Sequence, residues 1–159
     1  MRLWRQPSPF GEVTVVVSDR GVREISLPGD DQPDGEAGKP DRKIAHELDE
    51  WFAGTRRAFD LDLDLEGVEG FRRVALETLA REVQWGETVT YGELADLAGR
   101  PLAARAAGSA MRDNPLPFVI PCHRVVAAGG RIGGYGGGRN AIALKRTLLA
   151  REGVTGLRA

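Results

Sequence analysis

The spacing of apolar residues in the first half of this chain restricts it to a small mixed fold. Two β-branched runs, Val13–Val17 and Val22–Leu27, are joined by a short turn at 18–21, a pattern typical of a β-hairpin. From Arg42 to Phe52 the apolar residues recur at helical spacing, which predicts an amphipathic helix. Phe59–Leu65 alternates strictly between apolar and acidic residues, so a half-buried strand is expected there. These elements indicate an α/β unit with an antiparallel sheet.

The second half has a different pattern, dominated by helices. Apolar residues at helical spacing predict one helix over 71–83 and another from about 141 to 151. Between them, short helices are expected at about 91–98 and 102–112, because Gly99-Arg100-Pro101 interrupts the pattern with two helix-breaking residues. Two short helices joined by such a turn form a helix-turn-helix arrangement. The segment from 122 to 126 is predicted to be extended.

The two patterns predict two domains and an α/β (α+β) fold class. A chain of 159 residues is long enough for two small domains. The N-terminal α/β domain with its antiparallel sheet is expected at 1–66. The mainly helical C-terminal domain, with the helix-turn-helix and the only cysteine of the chain, is expected at 70–159. Residues 28–41 form an acidic loop rich in glycine and proline, which we expect to be mobile.

The charge of the chain is distributed unevenly between its halves. The overall net charge of −1 does not suggest a nucleic-acid-binding protein. Residues 1–70, however, contain 9 basic and 16 acidic residues (net −7), whereas residues 71–159 contain 13 basic and 7 acidic residues (net +6). A basic C-terminal half is the footprint of a protein that binds a phosphate backbone. Chance asymmetry between two solvated faces is the alternative.

The single cysteine lies in Pro121-Cys122-His123-Arg124. One thiol cannot form an internal disulfide, and one cysteine with two histidines cannot build a zinc site, so we expect no metal. A neighbouring histidine can activate a thiol, which makes a nucleophilic role one interpretation. The other interpretation is a buried cysteine that only packs.

The sequence predicts neither a membrane protein nor a secreted one. No apolar run approaches the roughly 18 residues that are needed to span a bilayer. The N-terminal residues do not resemble a secretory signal. A reduced thiol and no export signal predict a cytoplasmic location.

Several ordered blocks resemble the O6-alkylguanine-DNA alkyltransferases, also called methylated-DNA–protein-cysteine methyltransferases. The blocks cover roughly residues 70–153 and are Gly86–Ala95, Ala103–Arg112, Asn114–Val126, Gly133–Gly137 and Lys145–Gly153. The resemblance implies direct repair of DNA, in which O6-alkylguanine is flipped out of the duplex through the minor groove. Its alkyl group would pass irreversibly to Cys122, and the protein would be inactivated after one reaction. The implied partner is double-stranded DNA with the lesion, bound by a monomer, without a membrane or a cofactor.

The resemblance also assigns catalytic roles to five residues. Cys122 would be the nucleophile and the alkyl acceptor. His123 would pass the thiol proton through a water to Glu152, and this relay is expected to hold part of Cys122 as thiolate near neutral pH. Tyr91 would donate a proton to a guanine ring nitrogen as the leaving group departs. Asn114 would brace the helix-turn-helix against the active-site segment, although asparagine is also an ordinary turn residue.

The second helix of the helix-turn-helix is rich in small residues and carries two arginines. Small side chains permit close approach to a partner surface, or tight packing in a core. In the resembled family this helix enters the DNA minor groove, where Arg105 would fill the space of the extruded base and Arg112 would contact a phosphate. The remaining positions assigned to DNA binding are Ala103, Ala104, Gly108 and Ser109.

The expected substrate pocket is formed around a glycine-rich loop. Tyr135 corresponds to the aromatic residue of that loop, and Val125 and Lys145 are also assigned to the pocket. Many members of the family have a serine where this chain has Gly136, and residues 138–144 form a stretch about three residues longer than usual. Both departures concern the rim of the pocket and the size of the alkyl group that it accepts.

Three other functions compete with alkyl transfer. A non-catalytic lesion-binding protein of the alkyltransferase-like class would lack the acceptor cysteine, which this chain has. A helix-turn-helix regulator should read bases with polar side chains, which the alanine-rich second helix almost lacks. A hydrolase with a Cys-His pair would turn over repeatedly.

Overall fold

The computed structural model describes residues 1–135 and 141–159 of the chain. It divides into two compact units, Met1–Leu65 and Glu66–Ala159. Within the described residues, no helix is both long and apolar enough to cross a membrane. The same part of the chain contains no group of three or more His, Cys, Asp or Glu side chains that could hold a metal ion.

The first unit contains a three-stranded antiparallel sheet in the order β1-β2-β3. The strands are β1 (Arg2–Gln6), β2 (Val13–Ser18) and β3 (Gly21–Ser26). The predicted hairpin of β2 and β3 is confirmed, with a register shift between Val16 and Val17. Strand β1 was not predicted, because its five residues alternate too little to show a strand period.

Helix α1 (Arg42–Ala53) confirms the predicted helix. It begins at Asp41, whose carboxylate accepts a hydrogen bond from the backbone N–H of Ile44 and thereby caps the helix. It ends at Gly54, which adopts the left-handed conformation at φ 80°. The sequence therefore encodes both ends of this helix.

The strand expected at Phe59–Leu65 is wrong. Only an isolated bridge forms there, between Val22 and Leu63. The acidic residues do not all face solvent, because the Asp64 side chain is buried and forms an ion pair with Arg23 at 3.3 Å. The alternation of half-buried apolar and exposed acidic side chains therefore holds only from Phe59 to Leu63 and ends at Asp64.

The second unit contains four helices and two very short strands among its described residues. The helices are α2 (Gly70–Glu82), α3 (Tyr91–Leu97), α4 (Ala104–Arg112) and α5 (Ala141–Arg151), and the parallel strands are β4 (Val89–Thr90) and β5 (Val125–Val126). A capping box starts α3: the Thr90 hydroxyl accepts from the Glu93 N–H, and the Glu93 carboxylate accepts from the Thr90 N–H. Helices α3 and α4 form the predicted helix-turn-helix.

The segment that contains the cysteine is not extended, contrary to expectation. Residues Cys122–Arg124 form a single 3-10 turn, which directly precedes β5. The turn closes because the Arg124 N–H donates to the Pro121 carbonyl oxygen at 2.9 Å. Proline before cysteine thus starts a tight turn that places three polar side chains in succession.

Candidate active site

A cavity of about 430 Å³ opens in the second unit and brings together residues of α3, α4, the 3-10 turn and the loop after β5. It is large enough for a nucleobase-sized ligand. Its lining residues are Tyr91, Arg105, Gly108, Ser109, Met111, Arg112, Cys122, Gly134 and Tyr135. Seven of these nine were assigned to the site from the sequence. Gly136, which was also assigned to the pocket, lies outside the described residues.

The Cys122 side chain lies at the wall of this cavity and is only 6% exposed. Burial raises the pKa of the thiol above its usual value. The Asn114 side chain, the Lys145 ammonium and backbone N–H groups act in the opposite direction without cancelling the effect of burial. The expectation of a partly ionised thiol is therefore wrong for the free protein, which holds Cys122 as the neutral thiol at neutral pH.

Behind the cysteine, three buried side chains form a hydrogen-bonded cluster. His123 Nε2 lies 2.7 Å from Glu152 Oε2. The Arg124 guanidinium binds the same carboxylate through two bonds, from Nε to Oε1 at 2.7 Å and from Nη2 to Oε2 at 3.2 Å. Arg124 Nη1 also donates to the carbonyl oxygen of Val83 at the end of α2. The predicted pairing of His123 with Glu152 is thus present in the geometry, and Arg124 joins it.

The charges in this cluster follow from its contacts. Burial would raise the pKa of Glu152, but hydrogen bonds from His123 and Arg124 outweigh it and lower the pKa to about 2. Burial lowers the pKa of His123, and the Glu152 carboxylate offsets this only in part. At neutral pH the cluster is therefore an ionised Glu152–Arg124 pair beside a neutral imidazole. Because a carboxylate can only accept, Nε2 carries the imidazole proton and Nδ1 is the basic nitrogen.

Asn114 fixes the loop that leads to the cysteine. Its Nδ2 donates to the Ile120 carbonyl oxygen at 2.9 Å, and its Oδ1 accepts from the Leu116 N–H at 3.0 Å. The loop between them holds Phe118 at φ 72°, a left-handed conformation that is unusual for a bulky residue. The Phe118 side chain is 1% exposed, so its packing compensates for the unfavourable backbone.

Tyr91 is the first residue of α3, and its hydroxyl reaches the loop after β5. The hydroxyl donates to the Gly134 carbonyl oxygen at 3.4 Å. Burial raises the pKa of Tyr91, so the phenol keeps its proton. Gly133, at φ 76°, makes this position possible, because a Cβ atom there would lie 3.0 Å from the Tyr91 hydroxyl. Any side chain at this position would force the tyrosine to move.

Lys145 projects from α5 and is completely buried. Its Nζ donates to the carbonyl oxygen of Val125 at 2.7 Å and to that of Gly134 at 2.9 Å. Burial lowers the pKa of the ammonium to about 8. Neither Lys145 nor Val125 is among the described residues that line the cavity. Lys145 instead connects the strand after the cysteine to the loop that carries the pocket tyrosine.

The residues assigned to DNA binding lie on or directly before α4. Arg105, Gly108, Ser109 and Arg112 line the cavity. Arg112 Nη2 also donates to the Ser109 hydroxyl at 3.1 Å. Ala103 and Ala104 mark the start of the helix, Ala103 as the residue before its first turn and Ala104 as its first residue.

Two contributors to the site were not recognised in the sequence. Arg124 was quoted only as part of the motif, although a basic residue next to a proposed His–Glu pair is a candidate partner for the carboxylate. Gly133 was seen only as one of several glycines of the loop. No pattern in the sequence shows that it faces Tyr91, because that contact joins residues 42 positions apart.

The reactivity of the thiol should have an alkaline midpoint. In the free protein, alkylation of Cys122 by iodoacetamide is expected to rise with pH and to reach its midpoint above the value of about 8.5 for a free cysteine. Lys145→Met should slow alkylation at a given pH, because the nearby ammonium lowers the thiol pKa only while it is charged. This difference should be largest below about pH 8, where the ammonium is charged. Mass spectrometry of the alkylated protein across the pH range measures both curves.

The exposed Lys39 provides the control for this prediction. Lys39→Met removes the same charge in the first unit and should leave the curve unchanged. A wild-type midpoint well below that of free cysteine would contradict the assignment of a neutral resting thiol.

Comparison with known proteins places these observations in a family. Residues 71–154 match the model of the 6-O-methylguanine DNA methyltransferase, DNA binding domain. The chain is 35% identical over 152 residues to the methylated-DNA–protein-cysteine methyltransferase of Methanosarcina acetivorans, covering 92% of this chain and 94% of that one. It is 49% identical over 108 residues to the corresponding protein of Mycolicibacterium paratuberculosis, covering 67% of this chain and 61% of that one.

The solved structures agree with this comparison. The structure of Mycobacterium tuberculosis OGT in complex with DNA superposes with a TM-score of 0.86 at 34% identity, over 96% of this chain and 92% of that one. The O6-methylguanine-DNA methyltransferase of Pyrococcus kodakaraensis gives a TM-score of 0.64 at 28% identity, over 96% of this chain and 99% of that one. The family model, the sequence relatives and the structural superpositions thus agree, and the chain belongs to the O6-methylguanine DNA methyltransferase family.

Proposed function

We propose that this chain repairs O6-alkylguanine in double-stranded DNA, with O6-methylguanine as the principal substrate, by moving the alkyl group onto Cys122. The observation that carries the proposal is the position of the thiol at the wall of a cavity of about 430 Å³, with the hydrogen-bonded His123–Glu152 pair directly after it in the chain and in the fold. The names of the relatives and the match to the family model support the same reaction.

The first step is transfer of the thiol proton as the sulfur attacks the alkyl carbon. The proton passes to His123 Nδ1, through a water in the mechanism that the family resemblance implies. The imidazolium that forms lies beside the ionised Glu152, which stabilises the new charge. A neutral resting thiol fits this order of events, because an attacking thiolate is then formed only when a substrate is present to react with it.

The second step is departure of the guanine oxygen. As the sulfur–carbon bond forms and the carbon–oxygen bond breaks, negative charge develops on the guanine. Tyr91, which is protonated in the free protein, gives its proton to a guanine ring nitrogen, and the phenolate is reprotonated by the proton that His123 releases to solvent. The net change is that the thiol proton moves to guanine while the alkyl group moves to sulfur. The thioether has no hydrolysable bond, so the reaction ends after one transfer.

The substrate reaches Cys122 through base flipping. An O6-alkyl group inside a duplex cannot be approached in line by a side chain, so the nucleotide leaves the stack, at a cost of a few kcal/mol. Helix α4 lies in the minor groove, and Arg105 at the rim of the cavity takes the place of the extruded base.

One copy of the chain suffices, because one cysteine and one cavity accept one alkyl group. The reduced thiol that the reaction needs agrees with a cytoplasmic location.

The stoichiometry of transfer tests the proposal. Intact-protein and peptide mass spectrometry after incubation with excess O6-methylguanine duplex should show one methyl group per chain, located on Cys122. Binding without methylation would instead identify a non-catalytic lesion-binding protein. More than one methyl group removed from DNA per chain would identify a catalyst that turns over, and either outcome would refute the proposal.

Arg105→Ala should separate base flipping from chemistry. The variant is expected to repair duplex O6-methylguanine at least about tenfold more slowly, because the vacated stack is no longer filled. It should react with the free base O6-benzylguanine at nearly the wild-type rate, since that substrate needs no flipping. Single-turnover rates on both substrates provide the comparison. Arg81→Ala, a loss of an exposed arginine on α2, is the control, and equal losses on both substrates would mean that Arg105 supports the pocket itself.

A further inference from the structure

The turn between α3 and α4 has a leucine at a position whose backbone conformation favours glycine. The Ala103 N–H donates to the Arg100 carbonyl oxygen at 3.3 Å, which closes a four-residue turn with Pro101 in its second position and Leu102 in its third. Leu102 has a φ of 69°. Proline second and a positive φ third is the pattern of a type II turn, whose third position strongly favours glycine or asparagine.

No packing of the Leu102 side chain compensates for this unfavourable backbone conformation. Its side chain is 100% exposed. Phe118 is the other non-glycine residue with a positive φ among those described, and its burial at 1% exposure explains why it is tolerated. Gly99, in the same connection and at φ 83°, is the residue type that such a backbone normally takes. A strained and fully exposed leucine is therefore unfavourable in the free protein on two counts.

The surroundings of Leu102 indicate the kind of partner that would compensate for it. The segment from 97 to 112 contains three arginines and no acidic residue. Arg105 and Arg112 of this segment line the cavity that holds Cys122. A basic surface of this type attracts a polyanion rather than an apolar protein surface. The minor groove of a duplex also offers apolar surface, namely its deoxyribose rings, and proteins that bind there already place apolar side chains such as leucine between base steps.

We propose that Leu102 is an apolar DNA contact that packs against deoxyribose rings of the duplex when α4 lies in the minor groove. The contact rests on the proposed function, because that function places α4 on DNA. It adds an apolar anchor at the start of α4, one helical turn before Arg105. The turn conformation projects the leucine into solvent in the free protein, and the side chain loses water only when DNA is bound.

Two substitutions at this position separate the side chain from the backbone. Leu102→Ala removes the apolar group but keeps a Cβ atom at a positive φ. Leu102→Gly removes the apolar group and also relieves the backbone. Both variants should bind a short unmodified duplex about tenfold more weakly than wild type, which corresponds to about 1.4 kcal/mol. Fluorescence anisotropy measures this, and the slope of log Kd against log salt should be unchanged because no charge is altered.

Thermal unfolding of the free protein supplies the second readout. Leu102→Gly should raise Tm by about 2 °C relative to Leu102→Ala, since only glycine relieves the turn. Val74→Ala is the matched control for loss of an exposed apolar side chain, because Val74 is 46% exposed on α2. It should change neither duplex affinity nor its salt dependence.

The proposal is overturned if Leu102→Ala binds the short duplex as tightly as wild type. It is also overturned if the loss occurs only on long duplexes together with lost cooperativity, since the leucine would then contact a neighbouring copy of the chain. A lower Tm for Leu102→Gly than for Leu102→Ala would assign the leucine to the fold. Transfer from free O6-benzylguanine, which needs no duplex, shows separately whether the proposed chemistry at Cys122 holds.

Discussion

Cys122→Ser is expected to abolish alkyl transfer while leaving duplex binding intact. Serine has nearly the size of cysteine, so the buried position and the 3-10 turn are retained. A hydroxyl oxygen is a much weaker nucleophile toward an alkyl carbon than sulfur, and the neutral His123 is too weak a base to ionise it. Transfer should fall by at least about 10³-fold and below detection in a mass-spectrometric assay. Affinity for an unmodified duplex should stay within a factor of about two, since the serine preserves the shape of the cavity.

A matched control for this variant is available in the same cavity. Ser109→Ala changes a lining residue on α4 without touching the thiol, and should still accept one methyl group per chain. If Cys122→Ser carried a methyl group on any other residue after incubation with methylated DNA, Cys122 would not be the acceptor.

The sequence predicted those parts of the fold that depend on local patterns. Helix α1 was predicted from a capping aspartate, an apolar face and a terminal glycine, all within 14 residues. The helix-turn-helix follows in the same way from two short apolar patterns around Gly99 and Pro101. The strand expected at Phe59–Leu65 was wrong because the alternation ends at Asp64, which is buried and pairs with the half-exposed Arg23, a contact that no local rule reveals.

The sequence predicted which residues lie in the site where a motif carries them. It predicted their burial and their pKa values less well. The pairing of His123 with Glu152 came from family resemblance, and the structure places their side chains 2.7 Å apart. The direction of the Cys122 pKa shift could not be read from neighbouring residues. It is set chiefly by burial, which depends on how α4, the 3-10 turn and the loop after β5 close around the thiol. Position in the chain therefore points to the proposed reacting group but not to its resting charge.

Replacing Glu152 should be the most destabilising of the substitutions considered in the site. Glu152→Gln keeps the shape of the side chain but leaves the buried Arg124 guanidinium without its counter-charge, since the ion pair is almost completely shielded from solvent. Breaking a buried pair from one side typically costs about 3–5 kcal/mol of unfolding free energy. Denaturant unfolding at neutral pH measures the loss, and Glu82→Gln, which removes an exposed partner of Arg81, should cost less than about 1 kcal/mol.

The same pair predicts how stability depends on pH. The folded pKa of Glu152 is about 2, below the ordinary value of 4.5, so the carboxylate binds its proton less readily in the folded state than in the unfolded state. Its contribution to stability is therefore complete above the ordinary pKa and is lost as pH falls from there through about 2. Wild type should lose this stability on acidification, whereas Glu152→Gln, which has no proton to gain, should lose less over the same interval. Parallel curves of unfolding free energy against pH would contradict the proposed charge of the pair.

Alkyl transfer by the folded Glu152→Gln protein should slow as well, for a reason separate from stability. An amide supplies no negative charge to the imidazolium that forms when His123 takes the thiol proton, so the barrier to attack by Cys122 rises. The rate on free O6-benzylguanine, measured well below the denaturation midpoint, isolates this effect from both folding and DNA binding. Arg124→Met removes the other side of the ion pair and should also destabilise the protein, but it leaves the carboxylate beside His123 in place. A larger rate loss for Glu152→Gln than for Arg124→Met, at equal folded fraction, would therefore assign the carboxylate to proton transfer, whereas equal rates would limit it to holding the site together.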